Sequence, residues 1–515
     1  MNRFLNSIVH GMRRDPRAVA LVHGRQRIRH GEALSAVHRS ARALGAQGLR
    51  RGDIVVLLTT STPEAVLNRV AAQLIGCCVV TLQPSVGAEV NAAILRALSP
   101  AALVHDPALQ EAARKVLELV DVPRSFCLGP GDHGTDLTAL AAARSDAPLA
   151  PAAGESDTAL IMHTSGTTGS PKAACHSYAT MAEFQRMDRL VRHEGPRRFL
   201  HHGSLDSVSG ENVVWTLATG GTTVLLDEAG PEEILETAAR ERVSYLLAYP
   251  TMLARLTTAC ARAGEPLPHL RQIEYTGAPA SAGLVRAAVE VFGPRLLGAY
   301  GQREAGFLAA LSGPEHRREE LLGSVGRPLD GVRVELRSPT GGPVAAGGTG
   351  AVWVRTPAVM TGYYARPDLT DEVLRDGWLR TGDLGRFDHG GRLFLLGRAD
   401  DAVIVDGYNV YVREVEEALE EHPGVGQAAA FGVPDPDRGE AVRASVSLVP
   451  DSRVAPEELC SWVRDRLGPF HAPAAVRIVA QLPLTARGKI DRRALRAQAL
   501  AESPDGTGNA ASRPG

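Results

Sequence analysis

The chain has 515 residues, 44% hydrophobic and 22% charged, and its 56 basic and 58 acidic residues leave a net charge of −2. That composition suits a globular protein with more than one core, and it lacks the basic excess of a dedicated nucleic-acid binder. No apolar run nears the ~20 residues of a membrane-spanning helix and the start has no signal-like core, while six cysteines without CxxC spacing point to reduced thiols in a cytoplasmic protein.

In chain order, residues 54–58 are predicted as a strand, 63–74 as a helix and 79–82 as a second strand. Residues 106–119 read as a helix with one solvated face, and 159–162 as a strand running into a loop rich in glycine and hydroxyls. Strand 223–226, helix 231–242 and strand 245–248 repeat the alternation, which predicts layers built on parallel sheets. From 323 to 396 short apolar runs such as 332–336 and 351–354 alternate with glycine turns, without a long helix. A small α/β unit follows, opened by a strong helix at 413–421. The expected fold class is α/β, with a large N-terminal domain (1–397) of layered α/β subdomains plus a β-rich subdomain. A small C-terminal α/β domain (398–500) and a disordered tail (501–515) complete it.

Only three lysines occur, Lys115, Lys172 and Lys489, against 53 arginines. Where any cation serves, this chain uses arginine. A lysine that persists marks a place for a compact ammonium on a flexible stem. Lys115 sits on the solvated helix and needs no special reason, whereas Lys172 and Lys489 lie in unusual local sequence. Lys172 closes the string Thr164-Ser165-Gly166-Thr167-Thr168-Gly169-Ser170-Pro171-Lys172, directly after a strand. Glycines that admit backbone N–H groups, hydroxyl donors and a terminal cation describe a loop that wraps phosphates. It is not a Walker A loop, because Pro171 precedes the lysine and Ala173 follows it.

With that string, the chain resembles the adenylate-forming superfamily of acyl-CoA synthetases, peptide-synthetase adenylation domains and luciferases, over about residues 10–500. Further motifs follow in the family's order. The resemblance implies that Thr164, Ser165, Gly166, Thr167, Thr168 and Gly169 bind ATP phosphates with Lys172, and that Gly277-Ala278-Pro279 lines the adenine and acyl pockets. In Tyr300-Gly301-Gln302-Arg303-Glu304 it assigns the tyrosine to adenine and the glutamate to Mg²⁺, with Thr164 as a second metal contact. Asp383, in Arg380-Thr381-Gly382-Asp383, would hold the ribose hydroxyls and Arg398 would contact the ribose, with an interdomain hinge at Asp400. Lys489, within Leu484-Thr485-Ala486-Arg487-Gly488-Lys489, would be the catalytic lysine of a mobile C-terminal domain. Asp206 and Ser207 would border the acyl pocket, and Asp406 and Gly407 the thiol tunnel.

The implied reaction is ATP-dependent conversion of a carboxylic acid to an acyl-adenylate, then thioester formation with coenzyme A. The alternatives are loading of the phosphopantetheine of a separate carrier protein, transfer to a non-thiol nucleophile, or a catalytically inactive ligand-binding homologue. No nucleic-acid partner and no membrane span are expected. Four departures from the family pattern stand out. Ser207 replaces a usual histidine or aromatic gate, and Arg303 replaces a threonine that touches phosphate. Arg303 is thus a candidate for the α-phosphate, for a second acidic group on the substrate, or for an obstruction, and Asp206 for a substrate ammonium. Asp406 replaces a glycine beside the incoming thiol. Ala173 and Tyr178 replace a glycine and a histidine and read as packing changes.

Overall fold

The computed structural model describes residues 2–164, 172–191, 196–264, 267–406, 408–485 and 488–502. Ser165 to Gly169 of the phosphate-loop string, with Ser170 and Pro171, and also Gly407 and residues 503–515 of the expected tail, lie outside them, as do the side chains of Thr164 and Asp400.

Among the described residues the chain forms four sheets. One has eight strands, with Ile54–Leu58, Cys78–Leu82 and Ala102–His105 parallel at its centre and Lys172–Ser177 antiparallel to Thr158–Thr164. A second has nine, and its five central strands, Thr222–Leu226, Arg198–His202, Tyr245–Ala248, Gln272–Thr276 and Leu296–Gln302, all run parallel. These strands are almost wholly buried because helices cover both of their faces, even where, as in Gln272–Thr276, the sequence carries polar residues. The sheets form an α/β layered body. Helices Arg3–Arg14, Pro63–Leu74, Tyr178–Leu190 and Val208–Ala218 share one core with strands of both sheets. Helices Pro231–Arg240, Pro250–Ala263 and Ala282–Phe292 cover the outer face of the nine-stranded sheet, and Ala88–Leu98 and Gln110–Leu119 that of the eight-stranded one.

The inner layer is tight. A Cβ on Gly11 would lie 2.4 Å from the Ala218 carbonyl, so only glycine lets helix Arg3–Arg14 cross Val208–Ala218 this closely. The same layer holds a buried ion pair in which Arg69 Nη2 donates to both Glu211 oxygens, at 2.8 and 2.6 Å. Such a pair is tolerated because each charge removes the other's desolvation penalty. Tyr178 is fully buried near Phe4, and its hydroxyl reaches the Gln73 and Cys77 carbonyls at 3.0 Å each.

The predicted texture change at 323–396 corresponds to a third sheet built on Arg333–Arg337, Gly350–Arg355, Trp378–Phe387 and Leu393–Arg398. The fourth comprises Ala402–Val405, Tyr408–Tyr411, Val425–Asp435, Gly439–Leu448 and Ala475–Ile478, with its own core against helices Val412–Glu420 and Pro456–Leu467. Helix Arg492–Ala501 closes the described chain, so Ala501, the first residue of the expected tail, is helical instead. Among the described residues no helix is long and apolar enough to cross a membrane.

Candidate active site

Strand Leu296–Gln302 ends in a turn from which three successive side chains diverge. Gln302 turns toward the third sheet, where its Nε2 donates to Asp383 Oδ2 at 2.7 Å and to the Thr381 carbonyl at 3.0 Å. The Tyr300 hydroxyl donates to the same Asp383 oxygen at 2.5 Å. Asp383 and Arg398 are register partners on neighbouring strands, and Arg398 Nη1 donates to Asp383 Oδ1 at 3.1 Å and to the Thr381 carbonyl at 3.0 Å. Burial pushes the Asp383 carboxyl up, while Arg398, Tyr300 and Gln302 pull it down. Burial also works against the Arg398 charge, but Asp383 outweighs it and the guanidinium ends above its ordinary value. The result is an oriented acceptor with one lone-pair site to spare, on Oδ1, suited to a hydroxyl of a sugar.

Glu304 turns another way. Its backbone carbonyl accepts from the Met360 amide at 2.7 Å and its Oε1 from the Tyr363 hydroxyl at 3.0 Å. Tyr363 lies on the two-residue strand Gly362–Tyr363, paired with Lys172–Ser177, and Lys172 Nζ stands 5.4 Å from the centre of its ring. Burial, then Glu304, raises the Tyr363 phenol, which keeps it a donor. Sequence reasoning missed Tyr363, whose only signal is a Gly-Tyr-Tyr string. Among the described residues no group of three or more His, Cys, Asp and Glu is placed to hold a metal ion. Magnesium usually takes one or two carboxylates and completes its shell with phosphate oxygens and water. Glu304 fits that set.

Arg303 lies between the two and faces neither. Its Nη1 donates to the His163 carbonyl at 2.7 Å and to Asp206 Oδ1 at 3.2 Å, and its Nη2 donates to the Asp206 carbonyl. Both side chains are largely buried, Arg303 at 15% exposure and Asp206 at 9%. Burial opposes the guanidinium charge, yet Asp206, Tyr249 and Glu304 carry it above its ordinary value. The Arg303 carbonyl accepts from His176 Nε2 at 2.7 Å, and burial holds that imidazole at about 4, hence neutral. Instead of any role the sequence suggested for either residue, Arg303 and Asp206 here bond to each other. Ser207 caps helix Val208–Ala218: its hydroxyl accepts from the Gly210 amide at 3.2 Å and donates to the Ser204 carbonyl at 2.7 Å.

Gly277 has φ +85°, and a Cβ there would come within 2.5 Å of Tyr249 Cε1, so glycine is required twice over. Ala278 and Pro279 continue that turn, and the Ala280 carbonyl accepts from Arg413 Nη2 at 3.1 Å. A second link joins the body to the C-terminal loop: the Thr251 hydroxyl donates to the Gly488 carbonyl at 2.8 Å, next to Lys489. The Lys489 carbonyl accepts from the Thr485 amide at 2.7 Å, and Leu484 pairs antiparallel with Ile490. Asp400 belongs to the short 3₁₀ turn Ala399–Asp401. Asp406 takes φ +51°, a conformation aspartate tolerates in place of glycine, and Arg438 Nε holds its carboxylate at 2.8 Å.

The chain matches the AMP-binding enzyme family over residues 9–364 and the AMP-binding enzyme C-terminal domain over 414–489. It belongs to the AMP-binding enzyme family. Among solved structures the chain is similar to the amide bond synthetase McbA from Marinactinospora thermotolerans. McbA superposes with a TM-score of 0.90 at 39% identity, covering 96% of this chain and 99% of that one. Feruloyl-CoA synthase of an Amycolatopsis species is 32% identical over 93% of this chain and 95% of its own length. The medium/long-chain-fatty-acid–CoA ligase FadD8 of Mycobacterium tuberculosis is 31% identical over 95% of this chain and 89% of its own. This AMP-binding enzyme is an AMP-forming ligase of the adenylate-forming superfamily.

Proposed function

We propose that the protein converts a carboxylic acid and ATP to an acyl-adenylate and passes the acyl group to the thiol of coenzyme A. The observation that carries the first half is the turn after Leu296–Gln302, which joins an oriented sugar acceptor, Asp383 with Tyr300 and Arg398, to the cluster of Glu304, Tyr363 and Lys172. In that step a carboxylate oxygen bonds to the α-phosphorus, the bond to the bridging oxygen breaks and pyrophosphate leaves with the electron pair. Two anions must meet, so the chain's task is to neutralise and orient. Asp383, Tyr300 and Arg398 would hold the nucleoside, Lys172 with Thr164, Ser165 and the rest of the phosphate loop the polyphosphate, and Lys489 the charge that develops on transfer. Glu304, fixed by Tyr363, would hold Mg²⁺, which supplies charge neutralisation at the phosphates.

Thioester formation rests on the names of curated relatives that match almost the whole chain, among them feruloyl-CoA synthase and FadD8. The thiol adds to the adenylate carbonyl, its proton is lost and AMP departs. A pantetheinylated carrier protein presents the same thiol. In either case Asp406, turned to Arg438, leaves its carboxylate neutralised at the loop expected to line the tunnel. A second reading, attack by an amine to give an amide, is favoured by the likeness to McbA at 39% identity. An inactive ligand-binding role sits poorly with a chain that keeps Lys172, Glu304, Asp383, Arg398 and Lys489 together.

The test is ATP–pyrophosphate exchange with a panel of aromatic and aliphatic acids, followed by product analysis with coenzyme A and with simple amines. Exchange and a CoA thioester are expected. Exchange with amide but no thioester would replace the thiol acceptor by the amine, and no exchange with any acid would overturn adenylation.

A further inference from the structure

Arg303 and Asp206 form an ion pair on the loop that the family resemblance assigns to the acid pocket, and nothing in the chemistry of adenylation requires it. Side chains leaving the turn after Leu296–Gln302 divide the space: Gln302 faces the sugar acceptor, Glu304 faces Tyr363 and Lys172, and Arg303 faces the root of the phosphate loop and the loop before Val208–Ala218. The guanidinium touches three acceptors on two segments: the His163 carbonyl, the Asp206 carboxylate and the Asp206 carbonyl. His176 fixes the Arg303 backbone from behind, and Ser207, the residue after Asp206, is fixed as the cap of helix Val208–Ala218. A flexible surface pair would not be held from both sides.

We propose that this pair sets the charge selectivity of the acid pocket: the protein takes acids whose only charge is the carboxylate being activated, and refuses those with a second carboxylate. The proposal rests on the adenylation reading above and is independent of the acceptor. A second carboxylate brought to this wall meets Asp206 across a guanidinium that is already neutralised, so it gains no counter-ion and faces a like charge where water is scarce. An arginine without Asp206 would do the opposite. Its planar fork matches a carboxylate, and, left with backbone carbonyls as its acceptors, it would draw one in. Asp206 is therefore a specificity-determining residue: its carboxylate makes the wall neutral.

The test compares an acid with its own charge-added partner by pyrophosphate exchange, which reads adenylation alone. Monomethyl terephthalate is set against terephthalate and monomethyl adipate against adipate, in wild type, Asp206→Ala, Asp206→Asn, and Asp206→Ala combined with Arg303→Met. The readout is the ratio of kcat/KM for diacid to half-ester, which a merely damaged fold leaves unchanged. Wild type should favour the half-ester by at least about tenfold. Asp206→Ala should raise the diacid ratio by about tenfold or more, Asp206→Asn should raise it less because its amide still accepts from Arg303, and the double variant should return to the wild-type ratio. Equal use of diacid and half-ester by wild type, a ratio unmoved in both single variants, or a gain that persists without Arg303 would each overturn the proposal. A missing CoA thioester with exchange intact would strike only the acceptor reading. Absence of exchange with every acid would remove adenylation and this inference together.

Discussion

At the scale of single residues, the hydroxyl of Tyr363 holds Glu304, and its ring lies under Lys172. Tyr363→Phe keeps the ring for the cation and removes the hydrogen bond, so Glu304 loses its orientation but not its charge. The Mg²⁺ concentration for half-maximal pyrophosphate exchange should rise several-fold in Tyr363→Phe and further in Glu304→Gln, because a neutral amide is a poor ligand for a hard cation. An unchanged Mg²⁺ requirement in both would remove Glu304 from the metal. Lys489 is one of three lysines in a chain that otherwise uses arginine. Lys489→Ala should slow adenylation by ~10²–10³-fold with ATP binding retained, the usual cost of deleting one preorganised donor. Lys489→Arg should recover little of it, since the guanidinium is wider and its charge spread. Full activity in the arginine variant would show that the residue is replaceable.

At the scale of elements, helix Val412–Glu420 meets the turn that follows Pro279. Arg413 is buried there against Glu416, Glu417 and Glu420 and reaches the Ala280 carbonyl. Burial pushes the Glu420 carboxyl from 4.5 to about 7, with Glu416 adding and Arg413, the Ala428 amide and Ser281 opposing. A folded-state value above the unfolded one means that the folded protein binds the proton more tightly. The contribution of Glu420 to stability is then fully present below 4.5 and is lost as pH rises through about 7. Glu420→Gln removes that titration, so the melting temperature should fall less across this window than in wild type. Parallel melting curves for the two proteins would contradict the assignment.

At the scale of the whole molecule, two links between the body and the small C-terminal unit matter: Arg413 to Ala280 and Thr251 to Gly488, the second beside Lys489. If the unit turns about Asp400 between the two half-reactions, both links break in the second. Asp400 lies in a 3₁₀ turn whose φ suits proline. Asp400→Pro should therefore preserve this arrangement and hinder any other. Pyrophosphate exchange should persist while acyl transfer falls. Equal loss of both would point to misfolding and leave no support for the hinge.

Local sequence carried much of the architecture. Ile54–Leu58, Pro63–Leu74 and Tyr245–Ala248 lie where the apolar runs and the proline at the helix start put them, because strand and helix periods act over a few residues. The helix predicted over 231–242 ends at Arg240, because Glu241 and Arg242 continue the pattern while the chain turns at Arg242 with φ +53°. The motif order also announced the family, as each string must carry its chemistry within a few residues. What the sequence left open were directions. Tyr363 and Tyr249 join the site from segments far along the chain, through a two-residue strand pairing and a glycine that lacks a Cβ. By residue type Arg303 was a candidate for the α-phosphate, for a second acidic group on the substrate or for an obstruction, whereas in the folded chain it pairs with Asp206, 97 positions away. A side chain's charge is written in the sequence, but the charge it faces depends on which distant segments pack beside it.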